Sequence, residues 1–299
     1  MRRIAMTLTL LVAVAGAADA RELTWIYVVP AAANTPGNNG TDWHTDLTVY
    51  NPHEYTLPIV LQFLETGRNN SAGVPTIELD VFSWETYNFW DVLGEDYFDE
   101  RGKTGSIMVY GDDLQMSCAD HACDLAVFTR TYTLNPGGGA GEFGQAIPGF
   151  PTDLGLDASV IAFMPQIMDD QDFRTNVGVT SLSMDMVTVR FELQDADGNV
   201  ISGRDETLLP FEHSQWRLES GVTGGSIAAF TTQGPSDAMV VPYASVVNNV
   251  TGDPVYVEAH MTVVGVSVPL ARTASPPALP DRMLVRAFTP GRRHRQAAE

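Results

Sequence analysis

Apolar and polar residues alternate at a period of two along much of the chain, in short runs broken by Gly, Pro and Asn. That period predicts half-buried strands rather than helices. Ile77, Leu79 and Val81 alternate with Glu78 and Asp80, and Val187, Val189, Phe191 and Leu193 alternate with Thr188, Arg190, Glu192 and Gln194. Leu57, Ile59, Leu61 and Phe63 keep the same period, but Pro58, Val60, Gln62 and Leu64 give their strand no wet face. Such a strand is expected to be buried on both sides or to lie at an interface. Further strands are expected over 23–29, ending at Pro30, and over 45–50, 105–110, 125–132, 160–164, 240–247, 255–257 and 260–268. Residues 31–41 read as a Pro/Gly/Asn loop.

The pattern is used twice. At an offset of about 130 residues Trp43 meets Phe173, Thr45 meets Thr175, Asp46 meets Asn176, Leu47 meets Val177 and Val49 meets Val179. The offset holds into the next strand, where Leu57 to Phe63 meet Val187 to Leu193. Gly105-Ser106-Ile107 returns as Gly225-Ser226-Ile227, and the region from Val81 to Trp90 corresponds to Leu208–Leu218. The expected fold is all-β: two tandem immunoglobulin-like β-sandwich domains related by internal duplication. Their expected bounds are 21–135 and 152–268, joined by a Gly/Pro-rich linker over 136–151. That stretch opens with Pro136-Gly-Gly-Gly-Ala-Gly141 but lacks the Gly-Lys-Ser/Thr of a phosphate loop. Its later part, with Phe143 and Ile147, could instead form an ordered crossover. Residues 269–299, rich in Pro and Arg, read as a poorly ordered tail.

Composition changes the compartment more than the fold. Arg2 and Arg3, the apolar run around Leu8–Val14 and Ala18-Asp19-Ala20 form a secretory leader over 1–20. No later apolar run is long enough for a transmembrane helix. The expected location is secreted, periplasmic or on the outer cell surface. The chain carries 17 Lys+Arg against 37 Asp+Glu, a net charge of −20. That balance disfavours nucleic acid and anionic membrane as partners and leaves proteins or glycans at the cell surface.

Candidate chemistry is sparse. Cys118 and Cys123 fall in a hairpin connection, where an oxidising compartment favours a disulfide over free thiols or a metal site. Trp84, Trp90 and Trp216 are candidate ligand platforms, since sugars stack on exposed rings, although a packed aromatic corner also accounts for the first two. No cofactor is expected, and calcium is the ion that oxygen ligands in the acidic loops would suit. Its candidate ligands are Asp91, Glu95, Asp96 and Asp99, and a weaker loop of Asp195, Asp197, Asn199 and Glu206, in which Val200 stands where a calcium loop turns on Gly. His44 and Asp46, at i and i+2 of one strand, share a face. Their counterparts Arg174 and Asn176 keep polarity but not chemistry, which favours a bridging role between strands. No Gly-x-Ser-x-Gly elbow or paired-His spacing occurs.

The segments Asp42–Pro52, Phe173–Val179 and Tyr243–Val255 resemble those of uncharacterised secreted bacterial proteins with duplicated β-sandwich domains. The resemblance covers most of 24–265, implies an extracytoplasmic all-β protein and implies no activity. The expectation is therefore a non-catalytic interaction or structural protein. A carbohydrate-binding or carbohydrate-active protein, using the tryptophans and surface carboxylates, is the alternative.

Overall fold

The computed structural model describes residues 23–112, 118, 121–135 and 137–263. The expected leader over 1–20, the tail over 269–299 and residues 264–268 lie outside the described residues. Regular structure among them is β apart from two short 3-10 turns, and every pairing between strands is antiparallel. No helix among them is long and apolar enough to cross a membrane.

The first half contains β1 (Ile26–Pro36), β2 (Asp42–Tyr50), β3 (Leu57–Glu65), β4 (Thr76–Val81), β5 (Thr86–Phe89), β6 (Lys103–Gly111), β7 (Ala126–Leu134), β8 (Glu142–Pro148) and β9 (Phe150–Pro151). They form one nine-stranded sheet in the order β4-β3-β6-β1-β2-β7-β8, with β5 on β2 and β9 on β1. The sheet is continuous because β1 serves two neighbourhoods. Its residues 26–34 pair with β6, and Thr35 and Pro36 pair with β2. The register shifts between Val29 and Ala32, around Pro30. Proline has no N–H to give a ladder, and a bulge is where a strand tolerates it. The expected strand end at Pro30 is thus a bulge, and the expected loop after it is partly strand.

The second half contains β10 (Val160–Met168), β11 (Phe173–Ser181), β12 (Val187–Gln194), β13 (Val200–Leu208), β14 (His213–Arg217), β15 (Thr223–Gln233), β16 (Val240–Asn248), β17 (Pro254–Glu258) and β18 (His260–Val263). One sheet runs β13-β12-β15-β10-β18 and the other β14-β11-β16-β17. Strand for strand this repeats β4-β3-β6-β1-β9 and β5-β2-β7-β8. Strand β10 also shifts register between Met164 and Ile167, at Pro165. The matched threonines hold matched places. The Thr45 hydroxyl donates to the carbonyl of Ala33 near the end of β1, and that of Thr175 donates to Met168 at the end of β10.

The stretch expected as a linker is not loose after Gly141. Strand β8 zips onto β7 with Ile147 fully buried, and β9 pairs with β1. The apolar positions of 142–151 had neighbours to bury against, so the ordered-crossover reading describes this part.

Alternation sends side chains into three cores. In the first half Leu57, Ile59, Leu61, Phe63, Ile107 and Val109 meet Leu47, Val49 and Phe89 from the other layer. In the second half Val187, Val189, Phe191 and Leu193 meet Val177, Val179, Ala244 and Val246. The third core is the seam between halves. The opposite faces of β1, β3 and β6 supply Ile26, Val28, Val60, Leu64, Met108 and Tyr110, and the second half supplies Leu182, Phe211 and Val241. This explains the missing wet face of β3.

A polar clasp closes the seam. Gly67 donates its N–H to the carbonyl of His213, Asn70 donates its N–H to that of Pro210, and the buried Asn70 amide donates to the carbonyl of Phe211. His213 is fully buried. Its Nδ1 lies 2.7 Å from Thr66 Oγ1, and its Nε2 lies 2.9 Å from Tyr243 Oη. Tyr243 donates to Gln215 Oε1 at 2.8 Å. With the tyrosine proton committed there, the neutral His213 donates from Nε2, while its Nδ1 shares the Thr66 hydroxyl with the Thr104 carbonyl, 2.8 Å from Thr66 Oγ1.

Burial pushes the His213 imidazole down from 6.5 to about 3. The unfolded chain therefore takes up a proton that the folded chain refuses, and this site removes stability as pH falls from 6.5 towards 3. The full loss is on the order of 5 kcal/mol at about 1.4 kcal/mol per pH unit. His213→Gln is expected to be less stable than the parent chain at pH 7. Urea midpoints should show that gap narrowing steadily down to pH 4, whereas a constant gap would mean an imidazole that titrates like an exposed one.

Candidate functional site

The turn Phe82–Glu85 carries β4 into β5. Trp84 stands there at φ 58°, a left-handed conformation that costs a non-glycine residue on the order of 1 kcal/mol or more. Four bonds hold it. The Glu85 N–H donates to the Phe82 carbonyl, and the Glu85 carboxylate accepts the Phe82 N–H at 2.8 Å. The Trp84 N–H donates to His53 O, and the Asn51 N–H donates to Glu85 O.

The turn from β13 into β14 repeats this frame. Phe211 has φ 54°. The Glu212 N–H donates to Leu209 O, and its carboxylate accepts the Leu209 N–H at 2.7 Å. Phe211 N–H donates to Ser183 O, and Ser181 N–H to Glu212 O. The two aromatics occupy one structural position with opposite fates. Phe211 is buried in the seam, whereas Trp84 is 57% exposed, with Phe82 exposed two residues before it.

The surface around Trp84 is braced from below. Tyr55 is partly exposed and stacks on His53 at 4.8 Å between ring centroids. Tyr55 Oη donates to Ala122 O, and His53 Nε2 donates to Asp124 O at 2.8 Å. Both carbonyls belong to the connection between β6 and β7, where Cys118 and Cys123 form a disulfide. The cysteine loop thereby supports the His53–Tyr55 stack.

The other candidates are dispersed. Trp90 is exposed at the far end of β5 from Trp84. Trp216 is half-buried, edge-on to Phe191 at 4.9 Å and under the Arg204 guanidinium at 4.4 Å. The three indoles share no surface. Asp91 faces β2: its carboxylate accepts the Asn34 amide at 2.8 Å and meets His44 Nδ1 at 2.9 Å. Glu95 and Asp99 turn instead to Arg101, and Asp96 is exposed. In the other loop Asp195 accepts the N–H groups of Asp197 and Asn199, closing a tight turn. Glu206 sits well down β13, opposite Val189, paired with Arg204 and accepting from Ser214. Neither acidic set converges, and among the described residues no three His, Cys, Asp or Glu stand together as metal ligands.

His44 and Asp46 lie together on β2, and Asp91 joins them to the loop after β5: the Asp91 N–H donates to Asp46 Oδ1 at 2.9 Å. Burial raises Asp46 above the ordinary carboxylate value. Burial, with the charges of Asp46 and Asp91, pushes the adjoining Tyr132 phenol up to about 12. The geometry ties the loop after β5 to β2, rather than one strand to its neighbour as expected for His44.

Of these residues, sequence alone pointed to Trp84 and matched its region loosely to that of Phe211, without singling out the shared turn. The signal is the spacing apolar-x-aromatic-Glu, read in Phe82-Ser-Trp-Glu85 and Leu209-Pro-Phe-Glu212.

No protein-family model matches the chain, and no curated protein matches it. Among solved structures it is similar to a lectin from Pleurotus ostreatus in complex with GalNAc, at 10% identity, over 82% of this chain and 85% of the lectin. The TM-score is 0.15, and so loose a superposition says nothing about fold or ligand.

The two aromatics should separate in a stability measurement. Phe211→Ala is expected to cost about 3–5 kcal/mol of unfolding free energy, and Trp84→Ala less than about 1 kcal/mol. Equal losses in denaturant titrations would mean that Trp84 is as buried in solution as Phe211.

Proposed function

We propose that the chain is a secreted or cell-surface interaction protein without a catalytic role, built from two tandem immunoglobulin-like β-sandwiches that arose by internal duplication. The repeated strand order, the repeated proline bulge and the matched Thr45 and Thr175 support the duplication. The resemblance to secreted bacterial proteins with duplicated sandwiches agrees with it.

The observation that carries the binding role is the aromatic turn. In the second copy it inserts Phe211 among Val60, Leu64, Met108 and Tyr110 on a sheet face of the same chain. In the first copy the same backbone frame presents Trp84 and Phe82 to solvent. An exposed apolar cluster on a braced turn marks a contact surface. By analogy with Phe211, its partner is a protein presenting an apolar sheet face. Domains 21–135 and 152–268 then act as one body, with the seam inside and Trp84 at its free end.

A second reading is carbohydrate recognition, since Trp84 and Trp90 present exposed indoles in a chain rich in carboxylates. One pair of experiments separates the readings. A photo-crosslinking side chain in place of Phe82, on cells of the source organism, is expected to yield a discrete protein adduct that Trp84→Ser abolishes. An adduct that survives Trp84→Ser, or none at all, refutes the protein-contact reading. Glycan-array binding lost on Trp84→Ala or Trp90→Ala would establish the carbohydrate reading instead.

A further inference from the structure

Two guanidiniums of this acidic chain line a cleft of about 270 Å³ between the halves. The outer face of β11, β14 and β16 forms one wall, and the ends of β1, β2, β7 and β8 form the other. Arg174 and Arg217 both line it. They reach the same face because Arg217 pairs with Asn176, two residues along β11 from Arg174. None of the lining residues is acidic, although the chain has 37 Asp and Glu.

The pairing of basic groups makes the site unusual. Arg68, Arg101, Lys103, Arg130, Arg190 and Arg204 each meet a carboxylate. Among the described residues, Arg174 and Arg217 do not. Arg174 is only 7% exposed, and its one hydrogen bond to a side chain is from Nη1 to Asn249 Oδ1 at 3.1 Å. Leaving a guanidinium buried beside a second guanidinium, with a single neutral partner, is costly. Burial and the Arg217 charge both draw Arg174 below its ordinary value. Arg217 also borders a shallow depression with Asp169, Asp170 and Glu219. Asp169 there accepts Ser220, and Asp170 accepts the N–H groups of Asp172 and Phe173.

The neutral groups add donors. Gln145 Oε1 accepts the Ser245 hydroxyl, and Gln215 Oε1 accepts Tyr243. Each glutamine is held by its oxygen, which leaves its NH₂ as the group available to a ligand. Two guanidiniums and two amide donors in an acid-free cleft suit an oxyanion, and the planar guanidinium fork matches a carboxylate best. The volume suits a small organic molecule.

We propose that this cleft is a binding site for a small organic carboxylate, held by Arg174 and Arg217 and capped by Gln145 and Gln215. The cleft uses no residue of the aromatic turn, so either site can exist without the other.

The test uses the purified secreted chain at low ionic strength. Citrate, D-glucuronate and L-glutamate are titrated by calorimetry and thermal shift, with inorganic sulfate and phosphate as separate arms. At least one carboxylate is expected to give saturable one-to-one binding and a raised Tm. Arg217→Gln, at the exposed end of the pair, should weaken that binding by about tenfold or more, the loss of a charged hydrogen bond. Arg174→Met should abolish the response while leaving the ligand-free chain at least as stable as the parent, because the variant removes an unpaired buried charge. Failure of every carboxylate, saturable binding by sulfate or phosphate alone, or an unchanged response in both variants would overturn the proposal. If Arg174→Met does not fold, Arg217→Gln alone decides.

Discussion

The constraint on which the rest depends is that the layer formed by β3, β6 and β1 has no face left for water. Odd-numbered residues of β3 fill one core and Val60 and Leu64 fill the seam. β1 divides likewise, with Tyr27 and Val29 on one side and Ile26 and Val28 on the other. A shift of one residue would exchange the two sets, but both destinations are apolar, so alternation alone fixes register weakly here. Register must come from features that do not alternate. The bulge at Pro30 and the Thr45 hydroxyl on Ala33 are such features, and both recur in the second half at Pro165 and Thr175.

Polar groups at the seam then acquire meaning from position. Thr66, His213, Tyr243 and Gln215 form a continuous chain of hydrogen bonds. It starts in the first half and ends at the rim of the cleft between halves. A contact that merely glued two domains would need only the apolar cluster. This chain also fixes how β14 and β16 present their outer face, and therefore where Arg217 and Gln215 stand. Gln62 is less well served: it is buried at the same layer, and neither of its amide atoms has a partner among the described residues.

Much of the fold was legible because its signals are local. Alternation marked most of the strands, and the two-sided apolar run Leu57–Leu64 announced burial on both sides or an interface. The repeat was legible because inward positions matched, as in Leu47 with Val177. Signals that depend on distant partners misled. Pro30 reads as a strand end until β6 is seen to tolerate a bulge, and 142–148 reads as linker until β7 lies beside it. Acids that cluster in sequence also part in space: Glu206 is carried away along β13 and Glu95 turns to Arg101. Arg174 was the harder case. As the counterpart of His44 it suggested a bridging residue, but its face of β11 meets the first half, whereas His44 meets Asp91. Only the seam distinguishes them.

The outer face of β12 has a further consequence. It is the counterpart of the face on which the second half docks, yet Arg190, Glu192 and Gln194 stand where β3 has Val60, Gln62 and Leu64. Arg190 is paired there with Glu192 and Asp205. A third unit added in the same manner would have to strip water from those ions, a cost that apolar contact elsewhere would not offset. The two halves thus differ most at this face, apolar and covered on β3, charged and open to water on β12.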